Sequence, residues 1–138
     1  MRYIGFGFGA CLTMVFSGLT LVVATTETSS AERTMVSGDL AKGEEVFKKC
    51  AICHALNAGE NKIGPTLHGI FGRKSGSVEG FQYSFAMKGK NIVWDEETID
   101  QWIKNPTTFI PGTRMLTGGV ADEEKRRNLI LYLKEATK

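Results

Sequence analysis

The run Cys50-Ala51-Ile52-Cys53-His54 brings two thiols and an imidazole into one short stretch. Cys-x-x-Cys-His is the attachment signature of a c-type haem. At this spacing, near the end of a helix, the two thiols add to the two vinyl groups of one haem. The next residue then sets an imidazole over the iron. A thioredoxin-like redox pair also uses Cys-x-x-Cys but needs a βαβ setting, and no such pattern surrounds this one. A structural zinc site needs a second ligand pair, and no other Cys or His cluster exists. A disulfide between cysteines this close is uncommon. The motif therefore predicts one covalent haem c held by Cys50 and Cys53, with His54 as a ligand to the iron.

The opposite axial ligand must come from elsewhere, and Met35, His68, Met87 and Met115 compete for the role. A lone methionine is ordinarily a core residue. Met115 differs because it follows Ile110-Pro111-Gly112-Thr113-Arg114. A Pro-Gly turn after a helix end can swing the chain back over the other face of the haem. Thioether ligation favours ferrous iron and raises the reduction potential. His68 lies too soon after His54 to cross to that face, and reads as a structural hydrogen-bonding histidine. Met87 reads as core.

Stepping outward, these residues need elements to carry them. Apolar spacing predicts helices over Asp39–Cys50, Asp95–Asn105 and Asp122–Ala136. The first has Leu40, Gly43, Val46, Phe47 and Cys50 along one side. Gly43 weakens a helix, so its place in that stripe points to a close crossing with another helix. In the second, Asp95 is an N-cap candidate, Glu96 and Glu97 suit the positive helix start, and Asn105-Pro106 ends it. Its apolar side is Ile99, Trp102 and Ile103. The third opens on Asp122, Glu123 and Glu124 and buries Leu129, Tyr132, Leu133 and Ala136. A short helix at Ser84–Lys88 is a further candidate. Gly59 to Gly80 is a Gly-rich loop stretch, and no strand pairs are apparent. The fold class is all-α. So few helices joined by such long loops provide little core for a domain this small, and a haem would fill the centre.

The chain has 138 residues, 42% hydrophobic and 23% charged, with 17 Lys plus Arg against 15 Asp plus Glu and a net charge of +2. That mild balance does not point to nucleic acid, since no basic run stands beside stacking aromatics. Lys125-Arg126-Arg127 sits in a helical pattern and reads as a solvated face. Three cysteines are too few for a disulfide framework. Residues 1–24 read as a signal sequence or membrane anchor: Met1-Arg2 is positive, and Tyr3 to Ala24 carries no charge. Its length approaches that of a bilayer span. Cleavage sites follow Ala24 and Ala31. Gly5, Gly7, Gly9 and Gly18 weaken it as a helix, so cleavage is the favoured reading. Cys11 has a lipoprotein-like Gly9-Ala10 before it, but the apolar run continues past it. Residues 25–37 read as a polar linker and residues 38–138 as the working domain.

From Gly38 onward the sequence resembles the class I cytochrome c family, of the mitochondrial type found also in bacteria. The resemblance rests on Gly38-Asp39 with Lys42-Gly43 and Phe47, the haem motif, and Gly64-Pro65-Thr66-Leu67-His68-Gly69-Ile70-Phe71-Gly72-Arg73. It continues through Gly80-Phe81 with Tyr83, Trp94-Asp95-Glu96-Glu97-Thr98, Asn105-Pro106, Pro111 to Met115, and Leu129 with Tyr132-Leu133-Lys134. It implies a small cytochrome c fold, with helices and loops wrapped around one covalent haem. It implies that Gly43 and Phe47 pack on Leu129 and Tyr132. It implies that the Pro65 carbonyl accepts the His54 ring N–H, and that Arg73, Tyr83 and Trp94 hold a haem propionate.

The function implied is one-electron shuttling by a monomer, not an enzyme. The donor would be a quinol–cytochrome c reductase and the acceptor a terminal oxidase or another respiratory or photosynthetic complex. Haem-attachment machinery would be an assembly partner. The expected location is the periplasm of a Gram-negative bacterium. The alternative is the periplasmic face of the inner membrane, held there by residues 3–24. A peroxidase-like haem enzyme would need an open iron position, which Met115 closes; a gas or redox sensor would need an output domain. Some positions depart from the family pattern. Trp102 stands where many members have tyrosine, and Met87 where mitochondrial members have asparagine. Thr107, Thr108, Ala121, Asp122 and Glu123 replace lysines around the docking face, while Lys48, Lys49, Lys62, Lys88, Lys90 and Arg114 keep some positive field.

Overall fold

The computed structural model describes residues 38–138. The leader at 1–24, the linker at 25–37, and with them Cys11 and Met35, lie outside the described residues. The elements are α1 (Leu40–Ala51), α2 (Phe85–Gly89), α3 (Glu96–Lys104), α4 (Pro106–Phe109) and α5 (Glu123–Ala136). Among the described residues there is no strand, only an isolated antiparallel bridge between Lys74 and Val93. The all-α expectation holds.

Helix starts follow side-chain caps. Asp39, Ser84, Asp95 and Asp122 each accept a hydrogen bond from a first-turn amide, satisfying donors that a helix start leaves orphaned. Asp95 and Thr98 form a reciprocal capping box. Pro106 does more than end α3. Asn105 caps a new turn with Pro106 at its first position, where proline's missing N–H costs nothing.

α1 crosses α5 at the point Gly43 marks. A Cβ there would overlap the Asn128 carbonyl and lie 2.7 Å from Tyr132 Cβ. Phe47 packs its ring 5.3 Å from that of Tyr132, and Leu129 is 1% exposed in the same cluster. The implied α1–α5 packing is therefore present, with Asn128 as a further partner: its Oδ1 accepts from the Asp39 amide at 2.8 Å. Gly43→Ala is expected to lower the melting temperature. Overpacking against a backbone carbonyl costs about 1–3 kcal/mol, more than the roughly 1 kcal/mol gained in helix propensity. Thermal unfolding of the haem protein checks it, and an unchanged or higher midpoint counts against the close crossing.

Two sequence readings need correction. Leu40 is 47% exposed, because it opens α1 before the crossing begins. Arg126 is not on a solvated face: its side chain is 5% exposed and bonded to Asp100. It lies on the side of α5 that meets α3.

Candidate haem site

α1 ends within the Cys-x-x-Cys-His motif. The Cys53 and His54 amides both donate to the Cys50 carbonyl, at 3.0 and 2.9 Å, so the chain turns tightly and presents Cys50, Cys53 and His54 to one cavity. The loop beyond folds back on the motif. Gly64 N donates to the Cys53 carbonyl at 2.8 Å and Leu67 N to the Ala55 carbonyl at 2.9 Å. Gly64 lies flat against the imidazole, and a Cβ there would overlap the His54 ring. The next residue, Pro65, places its carbonyl 2.8 Å from His54 Nδ1. A carbonyl only accepts, so Nδ1 carries the proton and Nε2 keeps its lone pair. Burial lowers the His54 pKa, while the Pro65 bond opposes this. The imidazole is thus held neutral, as a metal ligand must be. Burial, and then the neighbouring Cys53, push the Cys50 thiol up.

The cavity has a volume of about 630 Å³, within the range of small-molecule and cofactor sites. Of the buried core cluster, all but Ile110 and Ile130 line it. The core is therefore a wall around this space, not a filled centre. Met115 lines the same cavity as His54. Its amide donates to Thr113 Oγ1 at 3.2 Å, and Thr113 N donates to the Ile110 carbonyl at 3.1 Å. Thr113, 8% exposed, is a support that the sequence reading missed. Arg114 Nη1 reaches the Gln82 carbonyl at 3.2 Å across the cavity's edge.

Arg73, Tyr83 and Trp94 also line the cavity. Arg73 and Trp94 are brought side by side by a strand-like pairing absent from the sequence reading. Gly72 N donates to the Trp94 carbonyl at 2.7 Å and Trp94 N to the Arg73 carbonyl at 2.9 Å. The Arg73 guanidinium is steadied by the carbonyls of His68 at 2.6 Å and Thr66 at 2.9 Å, leaving other N–H groups for a carboxylate. Burial raises the Tyr83 pKa, while the Val78 backbone and Arg73 lower it. The phenol therefore keeps its proton as a donor. Phe81 meets its ring edge-on at 4.7 Å. Trp94 packs 5.8 Å from Trp102, which packs 6.4 Å from Phe109. Met87 is buried as expected and also lines the cavity. His68 corrects the sequence reading: it is exposed, and its backbone, not its ring, makes the hydrogen bonds.

These residues fit a haem. The space is apolar and open on one side. Two thiols and an imidazole stand on its wall, a thioether lines the same space, and carboxylate donors cluster at another part.

Comparison with known proteins agrees. Residues 40–137 match the Cytochrome c family. Cytochrome c of Gibberella zeae is 49% identical over 106 residues, covering 75% of this chain and 100% of the relative. Cytochrome c of Arabidopsis thaliana is 50% identical over 105 residues, covering 75% and 94%. Cytochrome c2 of Blastochloris viridis is 50% identical over 98 residues, covering 70% and 77%. With a family match across almost all the described residues, and a cavity walled by the attachment motif, this chain belongs to the cytochrome c family, electron carriers with covalent haem c.

Proposed function

We propose that Cys50 and Cys53 would hold the haem through thioether bonds, that His54 and Met115 would ligate its iron, and that Arg73, Tyr83 and Trp94 would bind a propionate. The observation that carries this is the convergence of Cys50, Cys53, His54 and Met115 on one apolar cavity, with the Pro65 carbonyl fixing the His54 tautomer. The haem, when bound, supplies one-electron exchange between ferrous and ferric iron. No residue has to move a proton or attack a substrate. Pro65 orients the imidazole and raises its basicity. Trp94, Trp102 and Met87 exclude water from the apolar wall. Thr113 steadies the backbone of Met115. Arg73 and Tyr83 offer donors to a carboxylate that would be costly to bury unpaired.

The carrier would meet its partners at the cavity mouth, where Ile63 and Leu116 are 78% and 82% exposed. A quinol–cytochrome c reductase as donor, and a terminal oxidase or another respiratory or photosynthetic complex as acceptor, suit a monomeric shuttle with small, transient contacts. Residues 1–24 act as the export signal, 25–37 as a linker and 38–138 as the carrier, which works in the periplasm. Among the described residues no helix is long and apolar enough to cross a membrane. Residues 3–24, if retained, would tether the carrier to the inner membrane.

Acid–organic extraction of the native protein, followed by intact mass, tests this reading. The haem is expected to stay on the polypeptide, and the mass to match a chain starting near Thr25 or Glu32 plus one haem. Release of free haem refutes the thioether assignment. Salt-resistant protein in the membrane fraction that still carries Tyr3–Ala24 replaces the soluble form with the anchored one.

A further inference from the structure

The geometry points to the Asp100–Arg126 pair as a positioning clamp for Met115, one that sets how often the ligand loop opens. The inference rests on the reading of Met115 as sixth ligand. Arg126 Nε donates to Asp100 Oδ1 at 2.7 Å, and its Nη1 donates to the carbonyls of Val120 and Ala121 at 3.1 and 2.8 Å. One buried guanidinium thus ties α3, α5 and the chain leaving the Met115 loop. A charge buried this deeply must keep its partners, so the carboxylate and the two carbonyls are held together.

The clamp acts on one end of the ligand loop. Val120 N donates to the Ile103 carbonyl at 2.8 Å. Gly119, at φ +71°, lies so close to the end of α3 that a Cβ would overlap the Lys104 carbonyl. The other end is fixed by Thr113, buried and bonded to the Ile110 carbonyl. Between these anchors Leu116, Thr117 and Gly118 are exposed. Their bonds are local: Leu116 N to the Arg114 carbonyl and Gly119 N to Thr117 Oγ1. Apart from Arg114 reaching Gln82, the span that carries Met115 is held by its ends. Segments with few buried contacts open locally at low free energy. Releasing one end lengthens the free loop and favours excursions of Met115 from the cavity. An electron carrier needs this ligand in place in both oxidation states, because loss in the ferric state would couple electron transfer to a slow rearrangement.

The test is the rate at which imidazole binds the ferric haem protein, since it enters only when Met115 has left. Asp100→Ala is expected to raise that rate about tenfold, the effect of losing one charge-assisted hydrogen bond from the closed loop. Hydrogen exchange at the Val120 amide should quicken in parallel, and Asp100→Glu should restore most of the wild-type rate. Arg126→Met keeps the buried stem and should match Asp100→Ala, but the Asp100 variant decides the matter where the Arg126 variant does not fold. Lys134→Met breaks the separate Lys134–Glu96 pair that also joins α5 to α3. It should leave the imidazole rate unchanged. An unchanged rate in Asp100→Ala, or an equal rise in Lys134→Met, overturns the clamp. Met115→Ala separates the two readings: a ferric spectrum that matches the wild type overturns the ligand assignment and the clamp with it, whereas a changed spectrum beside an unchanged imidazole rate in Asp100→Ala overturns the clamp alone.

Discussion

A protein carrying Cys50→Ala with Cys53→Ala, made without haem attachment, is expected to show no cooperative thermal transition. The reason lies in where its apolar residues sit. Ile99, Trp102, Leu129 and Leu133 are buried from outside but face the cavity within. Without its occupant, a space of about 630 Å³ would cost up to about 15 kcal/mol at roughly 24 cal/mol per Å³. Water entering the open mouth reduces this figure but then wets apolar walls, which is itself unfavourable. Total stability for such a domain is only about 5–15 kcal/mol, so the folded state is lost. The helix caps are local and outlast the tertiary packing, so far-ultraviolet circular dichroism should retain some helix with no sharp melt. Differential scanning calorimetry decides: a distinct heat-absorption peak from this apoprotein would show that the helices pack without the haem.

The attachment motif and the helix starts were legible because each depends on near neighbours. Two thiols and an imidazole in one short run state their chemistry by spacing alone. Asp95 announces its cap because acidic residues and an apolar-periodic turn follow it, while Asp39 and Asp122, read as the first helical residues, cap their helices from one position earlier. The Gly43 crossing was legible because a glycine in an apolar stripe demands a reason. What escaped depends on residues distant in sequence. The pairing of Gly72 and Arg73 with Trp94 joins segments separated by turns and α2, with no alternating pattern to reveal it. Pro106 read as a stop because proline ends α3; the same residue at a first helical position starts α4. Arg126 read as solvated because two cations flank it in sequence. Its partner Asp100 sits on another helix, and only the α3–α5 packing turns that one member of the run inward. His68 was read through its ring, although the structure uses only its backbone.

Met115→Ala is expected to open the reduced protein to carbon monoxide and to lower its potential by on the order of 100 mV. Met115 is half-buried on the cavity wall, and its backbone is pinned through Thr113. The alanine therefore removes the thioether and leaves the loop's anchors at Thr113 and Val120 in place. A thioether is a soft ligand that stabilises ferrous over ferric iron, so its loss favours the oxidised form. The direction of the shift is downward for that reason. His68 cannot take over the vacated position, because it is exposed and outside the cavity lining. Met87 does line the cavity but is held on α2, whose Ser84 cap accepts from the Met87 amide at 3.2 Å. Spectra of the reduced variant under carbon monoxide, beside the wild type, give the answer together with redox titration. Prompt carbon monoxide binding and a lower midpoint follow if Met115 is the ligand. A variant with unchanged spectrum and potential would transfer the role to Met87, the other thioether among the described residues that lines this space, and Met87→Leu would then produce both changes.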